Sequence, residues 1–141
     1  MTPKQIQLIQ ESWLSVAALD PVMVGDTFYL KLFELCPEVR PMFQRNLPEQ
    51  SKKLLYMLHY IIVRLDRFND LAGELQSLAR RHVRYGVKEE HYAVVGAALL
   101  WALGQALGER WNKETESAWA TCYYVLSTTM IEKSYYNIST Q

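Results

Sequence analysis

Apolar residues recur at intervals of three or four along most of the chain, which is the spacing of one face of an α-helix. Residues 3–18 carry the first of these stripes, and Thr2 before Pro3 is typical of an N-cap followed by proline in the first helical turn. Alternation with a period of two, the pattern of a half-buried strand, is absent. The pattern therefore predicts an all-α fold. The apolar positions of the first stripe are Ile6, Ile9, Trp13 and Val16.

Prolines and glycines predict where the other helices begin and end. Asp20 before Pro21 repeats the first start signal, and Pro37 should end that helix at about Cys36, because the residue before proline avoids the helical region. Alternation of long and short helices favours crossed packing over an up-and-down bundle. We expect six to eight helices in one domain spanning residues 1–141. The remaining segments are a short turn-like helix over 37–43 and helices from Pro48 past Leu65, from Asn69 or Asp70 to about Gly86, from 88 to 107 and from 113 to 136.

Composition narrows the classes of protein that the chain can belong to. Half of the 141 residues are apolar, and the 15 basic and 15 acidic side chains cancel, which argues against a nucleic-acid partner. No export signal is visible, and the longest apolar run, residues 92–107, is interpreted as a buried helix rather than a membrane span. Cys36 and Cys122 lack CxxC spacing and are expected to be buried, reduced thiols. These features predict a cytoplasmic protein without a membrane partner.

Three histidines are the candidates for metal or catalytic chemistry. His82 shares a predicted helix face with Leu78 and Tyr85, and a buried imidazole needs a partner for each nitrogen. We expect His59 at the surface or in a helix contact, and His91 at the surface. The spacing of the three is not the i, i+4 pattern of a zinc pair, and no nucleophile elbow, phosphate loop or paired-carboxylate motif is present. On these grounds alone a hydrogen-bonded core histidine is the favoured interpretation of His82.

Five residues and the segments around them resemble the globin family in their order and spacing along the chain. Those segments are FYLKLFELCPEVRPMF, EQSKKLL, RRHVRYGV and HYAVVGAALL. The chain is most similar to the bacterial single-domain globins and to the haem domain of flavohaemoglobins, and the resemblance covers nearly its whole length. The family implies a globin fold packed around a haem pocket. The five residues are Tyr29, Phe43, Gln50, Leu54 and His82.

The resemblance implies a haem b cofactor whose iron is bound by His82 as the proximal ligand. Phe43 would wedge against the porphyrin, and Leu54 would close over the iron. Tyr29 and Gln50 would donate hydrogen bonds to a gas bound on the distal side. Phe28 is also expected in the distal ligand pocket. Further residues expected at the cofactor are Lys53, Arg81, Val87, Tyr92, Val95 and Leu99.

The implied function is reversible binding of oxygen, with carbon monoxide and nitric oxide as further ligands, for oxygen storage, transport or scavenging. Two distal donors, Tyr29 and Gln50, predict high affinity and slow oxygen release, since hydrogen bonds to a charged acceptor are stronger than neutral ones. The alternative is a nitric oxide dioxygenase that works with a separate reductase. A sensor module and a haem-free interaction domain are weaker hypotheses, and no reductase or sensor output domain is expected within the 141 residues.

One departure from the family pattern concerns the proximal side. Flavohaemoglobins place a glutamate near the end of the last haem-domain helix, where it pairs with the proximal histidine and with the tyrosine that matches Tyr92. Tyr136 occupies that position here, and Glu132 lies one turn earlier. An imidazole without this carboxylate pushes less electron density onto the iron. The departure therefore puts efficient dioxygenase or peroxidase-like turnover in doubt, but not ligand binding.

Overall fold

The computed structural model describes residues 1–43, 46–84 and 86–133, and this part of the chain is all-α without a strand. Short 3-10 segments follow the second, third and fifth helices, and the prediction of an all-α fold with alternating long and short helices is confirmed. The α-helices are α1 (Pro3–Ala17), α2 (Pro21–Leu35), α3 (Leu47–Ile62), α4 (Ala72–Arg84), α5 (His91–Leu107) and α6 (Lys113–Ile131). The 3-10 segments are Pro37–Phe43, Leu65–Leu71 and Gly108–Arg110.

Polar side chains cap the helices at the starts that the sequence predicts. Thr2 Oγ1 accepts from the Gln5 backbone N–H at 3.1 Å, and Gln5 Oε1 accepts from the Thr2 N–H at 2.9 Å, so α1 begins with a capping box. Asp20 accepts from the Val22 N–H at 3.0 Å at the start of α2. Asn46 plays the same part for α3. Each bond satisfies an amide that has no partner within its own helix.

Two predicted helix starts are wrong, each for a local reason. We expected Asn69 or Asp70 to cap the fourth helix, but both lie in a 3-10 segment that bends at Arg67 (φ −126°, ψ 48°), and α4 starts only at Ala72. The fifth helix starts at His91 rather than near 88, because residues 88–90 form a turn. The predicted extension of the last helix to residue 136 lies partly outside the described residues.

Tryptophans join the first and last helices. The rings of Trp13 in α1 and Trp119 in α6 lie 6.2 Å apart between centroids, and both side chains are almost fully buried. The indole N–H of Trp119 donates to Ser12 Oγ at 2.9 Å, and that of Trp13 donates to His59 Nδ1 at 2.9 Å. The prediction of a surface or helix-contact role for His59 is thus confirmed. Both indoles combine a large buried apolar area with a satisfied donor.

Helix α5 crosses the middle of the fold, where it contacts α1, α2 and α6. Together with the short segment after it (His91–Arg110), it is long and apolar enough to span a membrane by length and composition alone. In this fold Ala98, Ala102 and Leu103 are at most 2% exposed, so its apolar character is used within the core, as expected. Cys36 and Cys122 are free and buried, also as expected.

Helices α2 and α3 approach each other closely at Gly25. A Cβ atom on Gly25 would lie 2.1 Å from Ser51 Oγ and 2.8 Å from Ser51 Cα, and the backbone atom cannot rotate away. Ser51 is itself only 1% exposed. The crossing therefore depends on the absence of a side chain at position 25. Because α2 carries Tyr29 and α3 carries Gln50 and Leu54, this contact sets the distance between two walls of the candidate site.

We predict that Gly25→Ala lowers the free energy of unfolding by about 1–3 kcal/mol, the usual cost of overpacking a core. Gly73→Ala is the matched control, since a Cβ there would meet no atom within 4 Å, and this helical position should gain about 0.4–1 kcal/mol. Urea unfolding followed by circular dichroism measures both. Equal stability of Gly25→Ala and wild type would show that the α2–α3 contact adapts without cost.

Candidate functional site

The end of α4 holds His82 in place through its backbone. The Val87 N–H bonds to the His82 carbonyl at 3.0 Å, and the Gly86 N–H bonds to the Val83 carbonyl at 3.0 Å. Gly86 has φ +85°, a left-handed conformation that favours glycine. This pair of bonds is the Schellman arrangement, which confirms Gly86 as the C-terminal glycine of the helix. The main chain around His82 is therefore fixed on its C-terminal side.

The imidazole of His82 is oriented by one hydrogen bond. Its Nδ1 lies 2.8 Å from the Leu78 carbonyl oxygen, and since a carbonyl only accepts, Nδ1 carries the proton. The neutral ring then has an unprotonated Nε2, the form that binds a metal. Burial lowers the pKa of His82; the bond to Leu78 opposes this shift, and the charge of Arg81 adds to it. Both burial and Arg81 keep the ring in its ligating form.

A tyrosine packs along the ring of His82. Tyr92, in the first turn of α5, is 8% exposed, and its ring lies 6.3 Å from that of His82 at an interplanar angle of 25°. The Tyr123 hydroxyl of α6 donates to the Tyr92 backbone carbonyl, which ties α6 to this turn. A Cβ on Gly96 would lie 2.5 Å from the Tyr123 ring, so the glycine makes room for it. Tyr123 and Gly96 were not predicted as site residues, although a glycine inside an apolar helix is a signal of close packing.

A second group of aromatic side chains surrounds Tyr29, which is 4% exposed. Its ring centroid lies 5.0 Å from that of Phe28, 5.2 Å from that of Phe43 and 6.0 Å from that of Phe33. Of these, Phe33 was not predicted. The Tyr29 hydroxyl makes no hydrogen bond to any residue that the structure describes, and burial raises its pKa to about 12. The hydroxyl therefore keeps its proton and can donate a hydrogen bond to a ligand.

Two leucines join the aromatic group to the rest of the core. Leu54 of α3 and Leu99 of α5 are partly buried and contact both apolar clusters, the larger one that includes Tyr92 and the smaller one that includes Tyr29. Val95 packs against the smaller cluster and Val87 against the larger. The predicted apolar site residues thus lie along the boundary between the two clusters.

The predicted polar site residues are held by fewer contacts than the apolar ones. Gln50 is half-buried in the first turn of α3, and its side chain makes no hydrogen bond within the described residues. Lys53 is exposed, and Arg81 donates to Ser77 Oγ at 3.3 Å. Among the described residues, neither cation forms an ion pair. Both therefore remain available at the surface beside the two helices that carry Leu54 and His82.

Glu132 is the described carboxylate that lies nearest in sequence to the position of the flavohaemoglobin glutamate. Glu132, directly after α6, is exposed, and no hydrogen bond or ion pair joins its carboxylate to His82 or Tyr92 in the described part of the chain. Tyr136 lies outside the described residues. Within the described residues, Glu132 therefore makes no contact of the kind that the flavohaemoglobin glutamate makes.

The prediction that His91 lies at the surface is wrong, since its side chain is only 6% exposed. The ring Nδ1 of His91 accepts from the Lys88 backbone N–H at 3.0 Å, and the backbone N–H of His91 donates to the Lys88 carbonyl at 3.0 Å. Cys36 and Glu38 lie beside it. The sequence placed His91 at the start of an apolar helix, where exposure is common, and gave no sign that the 37–43 segment would cover it.

The residues fit a flat apolar cofactor with one axial ligand. His82 presents an unprotonated Nε2, aromatic and aliphatic side chains supply apolar walls, and the hydroxyl of Tyr29 makes no hydrogen bond to a described residue. These are the features by which a haem pocket binds iron and controls its ligands. The geometry thus agrees with the donor set that haem requires.

Comparison with known proteins identifies several relatives. A flavohemoprotein of Candida norvegensis is 29% identical over 135 residues, which cover 94% of this chain but only 34% of that protein, so the chain spans about a third of its length. An anaerobic nitrite reductase of Gossypium hirsutum is 30% identical over 137 residues, covering 86% of this chain and 83% of the relative.

Solved structures match over the whole fold. A bacterial globin of Campylobacter jejuni superposes with a TM-score of 0.85 at 28% identity, covering 99% of this chain and all of the other. An engineered carbene transferase from Rhodothermus marinus, whose parent carries the provisional assignment of nitric oxide dioxygenase, gives a TM-score of 0.86 at 26% identity and covers 100% of this chain and 99% of its own. The globin family model matches residues 26–130, about three quarters of the chain, and the protein belongs to the globin family.

Proposed function

We propose that this globin binds haem b through His82 and binds oxygen reversibly, for storage, transport or scavenging. The observation that carries the proposal is the 2.8 Å bond from Nδ1 of His82 to the Leu78 carbonyl, which leaves Nε2 as a ligand atom. Globin membership implies a haem cofactor, and a flavohemoprotein is among the relatives. Haem supplies a ferrous iron that takes diatomic gases, including carbon monoxide and nitric oxide.

The chain's own residues position the cofactor and shield it from water. Phe43 packs in the aromatic group around Tyr29, and Leu54 and Leu99 join the two apolar clusters, so these side chains would lie against the haem. Lys53 and Arg81 serve the propionates at the rim, where each exposed pair contributes at most about 1 kcal/mol. These exposed pairs would therefore contribute little of the affinity for haem.

The distal side determines how long a gas remains bound. Tyr29 keeps its hydroxyl proton, because burial raises its pKa to about 12, and Gln50 supplies an amide donor from α3. Hydrogen bonds to a group that gains negative charge contribute about 1.5–3 kcal/mol each. Tyr29 alone therefore slows oxygen release by roughly 10- to 150-fold.

A second candidate is a nitric oxide dioxygenase that receives electrons from a separate reductase. The full-length structural match to the Rhodothermus marinus protein supports it. Mixing the oxygen-bound protein with nitric oxide in a stopped-flow instrument tests the chemistry, with nitrate as the product. Sustained turnover with a cellular reductase distinguishes this role from storage, since a storage protein would react once and remain ferric.

We predict that His82→Ala abolishes the five-coordinate ferrous spectrum and weakens haem retention, because no other ligand takes the place of Nε2. His59→Ala is the control, since His59 is exposed and contacts Trp13 instead. Absorption spectra of the ferric, ferrous and carbonmonoxy forms measure the effect. Normal haem uptake with an unchanged ferrous spectrum in His82→Ala would refute the proximal role, and wild-type protein without a Soret band after addition of hemin would refute haem binding.

We predict that Tyr29→Phe accelerates oxygen dissociation about 10- to 150-fold, the range that follows from loss of one charge-assisted bond. Tyr124→Phe serves as control because its side chain is 69% exposed on α6. Oxygen displacement by carbon monoxide after rapid mixing gives the rate. A Tyr29→Phe rate within twofold of wild type would remove Tyr29 as the donor.

A further inference from the structure

Three potential metal ligands meet where the 37–43 segment covers the start of α5. One ligand atom from each of Cys36, Glu38 and His91 lies within 4.8 Å of the others. Cys36 and His91 are each 6% exposed, while Glu38 is exposed and reaches them from the solvent side. Cys36 and Glu38 follow α2, whereas His91 begins α5, so the cluster joins two separate parts of the fold.

Among the described residues, no lysine or arginine side chain pairs with the carboxylate of Glu38. The thiol of Cys36 donates to Glu38 Oε1 at 3.0 Å. The thiol therefore retains its proton until a cation replaces that proton.

We propose that Cys36, Glu38 and His91 bind one zinc ion, with water as the fourth ligand. Thiolate sulfur, imidazole nitrogen and carboxylate oxygen are the three protein ligand types of zinc, and four-coordinate sites with one water are common. Mixed sulfur and nitrogen donors also disfavour magnesium and calcium, which take oxygen ligands. The exposed Glu38 leaves an entry route for the ion. The site uses none of the residues assigned to haem and does not depend on haem binding.

Zinc binding changes the protonation of Cys36 and the hydrogen bonding of His91. The ion displaces the thiol proton of Cys36, which leaves to solvent as the sulfur–zinc bond forms. His91 Nδ1 accepts from the Lys88 N–H at 3.0 Å, so Nε2 carries the ring proton in the metal-free state. Coordination through Nδ1 would leave that proton in place, and coordination through Nε2 would move it to Nδ1; in either case the bond from the Lys88 N–H breaks. The imidazole therefore neither gains nor loses a proton, and the net release is one proton per ion, from the thiol of Cys36.

The experiment titrates the full chain, freed of metals by a chelator, with zinc chloride in a calorimeter. We expect saturation at one ion per chain, and at least about tenfold weaker binding in Cys36→Ser, Glu38→Gln and His91→Gln. Matched controls carry the same changes at positions outside the cluster: Cys122→Ser, Glu34→Gln and His59→Gln. The His82→Ala variant should also bind zinc normally, which separates this site from the haem ligand.

A separate measurement tests each of the three proposed zinc ligands. Glu38 is exposed, so Glu38→Gln should keep its fold by circular dichroism, and wild-type affinity in that variant would overturn the proposal. Titration in buffers of different ionisation enthalpy should show about one proton released, and none released would exclude Cys36. Zinc should accelerate hydrogen exchange at the Lys88 amide, and unchanged exchange would exclude His91 as a ligand. Absence of saturable binding would overturn the whole site.

Discussion

The bond between Nδ1 of His82 and the Leu78 carbonyl is the interaction on which the candidate site depends. It joins a ring to a backbone oxygen one helical turn earlier, so its geometry requires only that α4 remain helical through His82. The Schellman bonds through Gly86 and Val87 maintain that condition at the end of the helix. A short helix thereby fixes both the direction and the tautomer of its histidine without any other side chain acting as acceptor.

Helix α5 connects this histidine to the rest of the molecule. Its first turn places Tyr92 along the His82 ring, its middle contacts α2, and Gly96 allows Tyr123 of α6 to bond to the Tyr92 carbonyl. On the other side, Gly25 allows α2 and α3 to approach, which brings Tyr29 and Leu54 into neighbouring positions. Two glycines therefore determine how closely the walls of the pocket lie, because each removes the one atom that would separate two helices.

Much of the fold was predictable because local signals are strong at helix ends. Thr2, Asp20 and Gly86 act through their own backbone neighbours, so their roles can be predicted from the sequence around them. The starts of α4 and α5 were misplaced for the same kind of reason: a bend at Arg67 and a turn at 88–90 interrupt patterns that continue helically in the sequence. Resemblance to globins pointed to His82 and Tyr29, while Tyr123 and Phe33 act through contacts between distant segments and were missed.

The sequence by itself determined the helical class, the caps, the buried thiols and the family, since each depends on periodicity, on neighbouring residues or on an ordered set of residue types. Only the tertiary structure decided which side chains share an environment. His91 is the clearest example: its position at the start of α5 predicted exposure, but its side chain is buried and lies beside Cys36 and Glu38. Burial of this kind depends on the packing of segments 50 residues apart, and no local pattern records it.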